Sequence, residues 1–186
     1  TPAKLRHGHV TREDIRAITE LAGEEGMLPA SAAHMLQTVF DLDKRPISSV
    51  MKPLVNVTAL PETATVAEIQ QAACKTGYTR FPVYRKRVDE IVGVVDLRQV
   101  LYSSTSAEAA GQLETASNRP ITRHVQSDIA YLPKNKSVGA LLHELHYHKI
   151  PMAVVVDKHN AVVGIVTAED LVEQVVGEIQ DERDLA

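Results

Sequence analysis

The 186-residue sequence has no tryptophan, two phenylalanines and five tyrosines, so aromatic residues make up only 4% of it. Its core must therefore come from Val, Ile, Leu and Ala, which suits an α/β protein with short buried strands. The single cysteine, Cys74, excludes an internal disulfide and fits a reducing compartment. Following Ala72 and Ala73 in a helical stretch, it reads as a small core or boundary residue. No apolar run approaches the ~20 residues of a membrane helix, and Thr1–Val10 lacks the apolar stretch of a leader. Taken alone, the chain reads as soluble. Basic excess is missing too: the net charge is −4 and the pI about 6.0, so nothing advertises nucleic acid. There is neither a Gly-rich phosphate loop with Lys nor a Gly-x-Ser-x-Gly elbow, and no catalytic constellation is expected. His143, Glu144 and His146 fall one residue short of the zinc-protease helix spacing. They read, with His148, as solvent-side or domain-facing, because Leu141, Leu142 and Leu145 claim the buried face. His7-Gly8-His9 reads as part of a mobile terminus.

What is present is a repeat. Residues 1–46 read as a helical extension: Thr11 and Asp14 have capping-box spacing, and Ile15, Ile18, Leu21 and Ala22 recur on one face. Gly26 and Pro29 break that helix, and a second one from Ser31 carries Met35, Leu36, Val39 and Phe40. Beyond Pro46, Ala59-Leu60-Pro61 matches Tyr131-Leu132-Pro133, and the stripe Val66, Ile69, Ala72, Ala73 matches Val138, Leu141, Leu142, Leu145. Arg80-Phe81-Pro82-Val83 is set against Lys149-Ile150-Pro151-Met152. Ile91-Val92-Gly93-Val94-Val95-Asp96 is set against Val162-Val163-Gly164-Ile165-Val166-Thr167. The chain thus divides into repeats at 47–102 and 121–178, a polar linker at 103–120 and an acidic tail at 179–186. Each repeat reads as β-α-β-β-α with a small three-stranded sheet. Units this small cannot bury both faces of their sheets alone, so the two should pack together as a pseudo-twofold pair.

Thr167 and Asp170, three residues apart at a helix start, have two readings. They can cap the helix reciprocally. The same geometry also offers unpaired N–H groups and a partial positive charge to a phosphate, with a carboxylate placed to take both ribose hydroxyls. Spacing alone leaves both open. Asp96 and Gln99 occupy the corresponding places in the first repeat.

Two such units, each with an apolar pair before a Gly and then a helix, resemble a tandem CBS pair. Within that group the chain is similar to the cytosolic region of CorC/HlyC-type proteins, bacterial relatives of the cyclin M magnesium transporters. The resemblance is carried by Glu24-Glu25-Gly26, Val39-Phe40-Asp41-Leu42, Val50-Met51-Lys52-Pro53, Gly77-Tyr78-Thr79-Arg80-Phe81-Pro82-Val83-Tyr84, Gly164-Ile165-Val166-Thr167-Ala168-Glu169-Asp170-Leu171 and Val176-Gly177-Glu178-Ile179-Gln180-Asp181-Glu182. It implies an α/β (α+β) module that binds an adenine nucleotide (ATP, ADP or AMP) and catalyses nothing. It further implies a homodimer, and a piece of a longer protein at the cytoplasmic face of a membrane, regulating a magnesium or cobalt transporter domain.

Carried over residue by residue, the resemblance implies that Asp170 holds the ribose, Thr167 a phosphate, and Ile165 the base. Tyr78, Thr79 and Arg80 approach the phosphates, Lys52 lies near base or ribose, and Pro53, Val55 and Pro82 add apolar surface. Members of the family often have a small hydroxyl residue at the place of Lys52 and an Arg at that of Leu54. Arg80 is either a phosphate fork or the partner of a nearby carboxylate. Because Asp96 and Gln99 replace Thr and Asp in the first repeat, one occupied site per chain is expected, without a protein-held metal. From Glu169 to Asp184 there are seven acidic residues and one basic, Arg183. That stretch is either a solvated face or a field that repels bare ATP and admits it with Mg²⁺. A nucleotide sensor attached to an enzyme, and a ligand-free CBS dimerisation scaffold, are the rival readings.

Overall fold

The computed structural model describes residues 10–109 and 118–176. His7-Gly8-His9, most of the acidic C-terminal stretch (Glu178, Asp181, Glu182, Asp184) and linker residues 110–117 lie outside the described residues. Two antiparallel helices come first, α1 (Arg12–Glu24) and α2 (Ala30–Asp41). Thr11 and Asp14 close the expected capping box on α1. The helices approach closely because Gly23 faces Ala33: a Cβ on Gly23 would lie 3.0 Å from the Ala33 methyl. This turns the stripe outward, leaving Ile15, Ile18 and Leu21 each 44–59% exposed.

The first repeat then runs β1 (Lys52–Pro53), β2 (Leu60–Pro61), α3 (Val66–Thr76), β3 (Arg80–Tyr84), β4 (Ile91–Asp96) and α4 (Leu97–Ala109). The second runs β5 (Val125–Gln126), β6 (Ala130–Pro133), α5 (Val138–His148), β7 (Met152–Val156), β8 (Val162–Thr167) and α6 (Ala168–Val176). Helix α4 continues past Ser103, whose hydroxyl donates back to the Val100 carbonyl, into the stretch expected to be linker. Thr65 with Glu68 and Ser137 with the Ala140 N–H cap α3 and α5. Both helices end on a left-handed residue, Gly77 (φ 74°) and Lys149 (φ 53°).

Each sheet has four strands, not three, because the repeats exchange their leading strands. The orders are β2-β3-β4-β5 and β1-β8-β7-β6. Antiparallel β1 lies on β8 of the second repeat, and β5 lies on β4 of the first. The chain before each short strand docks on the same sheet's helices. Val138 and Gly139 N–H groups of α5 donate to the Arg45 and Leu42 carbonyls, just as Val66 N–H of α3 donates to the Arg119 carbonyl. Sequence neighbours are thus not packing neighbours.

Strand register also corrects the match between the repeats. Arg80 pairs with Asp96, as Met152 pairs with Thr167, so Arg80 corresponds to Met152 and Pro82 to Val154 rather than Pro151. The Pro82–Pro151 coincidence had shifted that strand by three residues. With 132 − 60 = 72, 155 − 83 = 72 and 164 − 93 = 71, the duplication is nearly gap-free, and both copies carry a register shift at the same place, Val83/Tyr84 and Val155/Val156.

Each sheet buries one face under its own helices: Phe81, Val83 and Val95 under α3 and α4, and Ala153, Val155 and Val166 under α5 and α6. The other faces meet each other through Ile91, Val94, Met152, Val154, Val156 and Ile165. Fully burying such a side chain contributes roughly 1.5–3 kcal/mol, so this seam fixes the halves together. Tyr131 adds a tie, its hydroxyl donating to the Ile91 carbonyl at 2.5 Å.

Candidate functional site

At one end of the seam between the sheets the side chains part. They leave a cleft of about 330 Å³, within the ~300–1,000 Å³ range of small-molecule pockets. One wall comes from β8 and α6: Ile165, Thr167, Glu169, Asp170 and Glu173, with Met152 beneath. The other is the turn after α3 with the start of β3: Gly77, Tyr78, Thr79, Arg80 and Pro82. Gly77 turns the chain there at a φ of 74°, a conformation that strains a residue with a Cβ. The exchanged strand β1 supplies Lys52, which pairs in register with Ile165, and Val57 and Thr58 follow.

Of the residues expected at the site, Lys52, Tyr78, Thr79, Arg80, Pro82, Ile165, Thr167 and Asp170 are therefore brought together, from both repeats. Pro53 and Val55 are not among the lining residues. The chain leaves β1 into a tight turn (Leu54–Asn56), and Val55 points to solvent at 91% exposure. Sequence reasoning missed Val57, Thr58, Gly77, Met152, Glu169 and Glu173. For Met152 the signal existed, since the correct repeat register places it opposite Thr167. Glu169 and Glu173 lie four residues apart on α6 beside Asp170, and that helical spacing would have placed them along the cleft rim.

Thr167 and Asp170 do form the capping box: the Thr167 N–H and hydroxyl donate to Asp170 Oδ2 at 2.7 and 2.8 Å, and the Asp170 N–H donates to Thr167 Oγ1 at 3.2 Å. Lys52 Nζ donates to the Tyr78 hydroxyl and lies 4.3 Å from its ring centroid, joining the two walls. Arg80 takes carboxylate partners: Nη1 lies 2.6 Å from Glu169 Oε1, and Nε lies 3.3 Å from Asp96 Oδ2. Burial pushes the Glu169 carboxyl up. Hydrogen bonds from its own backbone N–H and from Arg80, together with the Arg80 charge, outweigh that and hold it below the ordinary range.

The corresponding polar groups of the first repeat, Asp96 and Gln99, each take a protein partner. Asp96 accepts from the Arg98 backbone N–H (2.9 Å) and from its guanidinium (Nη2, 2.7 Å), while Gln126 Nε2 donates to Gln99 Oε1 at 3.2 Å. The hydrogen bond from the Arg98 side chain is the main reason the Asp96 carboxyl sits below its usual range, burial opposing it.

Elsewhere, His143, His146 and His148 are exposed, and no group of metal-ligating side chains converges among the described residues. Leu142 is 38% exposed, so Val138, Leu141 and Leu145 alone carry the buried face of α5. Cys74 is exposed rather than core, on the outer side of α3 from Ala72 and Ala73. No described helix is long and apolar enough to cross a membrane.

Comparison with known proteins agrees with the duplicated fold. The CBS domain family profile matches residues 47–105 and 121–177. A UPF0053 protein of Mycobacterium tuberculosis is 34% identical across all of this chain, which spans 42% of that protein. The magnesium and cobalt efflux protein CorC of Escherichia coli is 26% identical over 98% of the chain, which spans 60% of it. Among solved structures, the CBS domain of a bacterial CNNM/CorC family Mg²⁺ transporter superposes with a TM-score of 0.80 at 30% identity, covering 93% of this chain and all of that one. A structure of such a domain in complex with ATP superposes with a TM-score of 0.69 at 32% identity, covering 78% of this chain and 97% of the other.

Proposed function

The chain belongs to the CBS-domain family, as a tandem pair, and on that footing we propose that it is a regulatory module binding an adenine nucleotide in the cleft between its repeats. The observation carrying this reading is that one cleft gathers a capped helix N-terminus, an arginine and an apolar strand from two different repeats. The helix start suits a phosphate, Asp170 the ribose hydroxyls, and Ile165 with Met152 the flat base. Nothing in the reading requires catalysis.

The ligand that fits best is ATP with Mg²⁺. Lys52 and Arg80 bring two positive charges to the cleft, and Glu169, Asp170 and Glu173 bring three negative ones. A metal carried by the phosphates offsets that excess. Because it touches both repeats, the nucleotide stabilises one packing of the pair over others. The change reaches the turn after α2 through α6, where Arg45 Nη2 donates to Gln174 Oε1 at 3.0 Å. We assign the module to the cytoplasmic side of a CorC-like divalent-cation transport protein, working as a homodimer. Similarity to the CorC protein and to transporter CBS domains supports the link to a cation-transport protein.

Calorimetric titration tests the reading. ATP is expected to bind one site per chain, at least tenfold more tightly with Mg²⁺ than with chelator present. If ATP, ADP and AMP all fail to bind, the chain is a CBS scaffold and the nucleotide reading is lost.

A further inference from the structure

The first repeat's buried acid, Asp96, stands where the second repeat has Thr167, and it touches Arg80, a cation that reaches across to the cleft of the second repeat. Asp96 is 8% exposed and stands directly across β3–β4 from Arg80. At the same register position the second repeat sets Thr167 opposite Met152. The duplicated fold thus carries a hydroxyl facing a thioether in one copy and a carboxylate facing a guanidinium in the other. We propose that Asp96 is a positioning residue: it aims Arg80 into the cleft formed with the second repeat, where Arg80 meets the ligand's phosphates. The proposal rests on the nucleotide reading above and names what orients its phosphate partner.

A free arginine side chain samples many rotamers, and part of that freedom is lost whenever it grips an anion. Arg80 has already been restrained. Its Nε end pairs with Asp96 at 3.3 Å, while Nη1 extends to the cleft-lining Glu169 at 2.6 Å. The two anchors differ in firmness. The Asp96 side chain is 11% exposed and is fixed by the Arg98 backbone N–H, whereas the Glu169 side chain is 66% exposed. A phosphate can therefore displace Glu169 from the outer nitrogens while Asp96 keeps the inner one. A charge-assisted, pre-oriented fork is what a phosphate binds best. Where the second copy has Thr167 the first has Asp96, and that carboxylate holds the fork for the cleft on the second repeat.

Asp96→Asn, nearly isosteric, removes the charge. The nucleotides ATP and AMP are expected to bind it about 5- to 20-fold more weakly, while adenosine, followed by NMR titration, binds as it does to wild type. Adding Asp96→Asn to Arg80→Gln should cause no further loss. Arg98→Gln, which removes the other partner of Asp96, should leave nucleotide affinity within twofold. If Asp96→Asn does not fold, Asp96→Glu carries the same test, displacing the carboxylate by one methylene, with the same phosphate-specific loss expected. Unchanged nucleotide affinity, an equal loss for adenosine, additivity with Arg80→Gln, or a matching loss in Arg98→Gln each overturns the positioning role. A wild-type chain that binds neither ATP, AMP nor adenosine instead sinks the nucleotide reading on which it rests.

Discussion

Asp170→Ala is expected to abolish the thermal stabilisation that an adenine nucleotide confers on the wild-type chain. At a ligand concentration 100 times its dissociation constant, that stabilisation is about 2.7 kcal/mol. For a chain of this size each kcal/mol moves the midpoint by roughly 2–4 °C, so the wild-type shift is about 5–10 °C. Asp170 also closes the cap on α6 through Thr167, and losing a capping partner costs about 1 kcal/mol by itself. The comparison must therefore be each variant's own shift on adding nucleotide, not its absolute midpoint. Asp170→Asn separates the two roles, because its amide oxygen can still accept from Thr167 but has lost the charge offered to the ribose. It should hold the ligand-free midpoint near wild type and keep only part of the shift. Calorimetry or dye-monitored melting with and without Mg-ATP checks both variants. A full shift in Asp170→Ala would mean that the ribose is held elsewhere.

Two glycines give the second large effect and separate stability from binding. In each sheet a glycine on the long edge-facing strand makes room for the exchanged two-residue strand. A Cβ on Gly164 would lie 2.4 Å from the Lys52 carbonyl oxygen, and one on Gly93 would lie 2.5 Å from the Gln126 carbonyl oxygen. Both obstacles are backbone, so the short strand must move rather than a side chain turn aside. Gly164→Ala and Gly93→Ala should each cost about 1–3 kcal/mol, the usual range for overpacking, read by denaturant titration. Their effects on ligand binding should diverge. Moving β1 takes Lys52 away from the cleft wall, and nucleotide affinity should fall tenfold or more in Gly164→Ala. Moving β5 disturbs the Gln99–Gln126 pair of the other repeat, so Gly93→Ala should bind within about threefold of wild type. Equal losses of affinity would show that β1 does not build the site.

The duplication was legible because the fold imposes the same residue types at the same places: a threonine or serine before α3 and α5, an apolar pair before Gly93 and Gly164. Capping boxes were legible for the same reason, being local chemistry at fixed spacing. Strand exchange was not. The strands β1 and β5 are two residues long and have no periodicity to read, and their pairing is decided by which sheet edge the preceding turn presents. The outward turn of Ile15, Ile18 and Leu21 was hidden too. An amphipathic stripe says that one face differs from the other, but the close Gly23–Ala33 contact decides which face meets α2. At the cleft, position along a motif was informative and direction was not. Val55 belongs to the right segment yet points to solvent, while Met152 lies outside the motif and points in. The ion pairs of Arg80 with Asp96 and Glu169 are long-range products of the fold, joining residues as far as 89 apart in sequence.

A crystal grown with Mg-ATP would decide whether the seam between the repeats is a ligand site. Adenine density against Ile165, ribose on Asp170 and phosphates between Thr167 and Arg80 is the expected result. Nucleotide bound beside Asp96 and Gln99 instead, or a structure in which Arg80 still grips Glu169 with the ligand elsewhere, would contradict it.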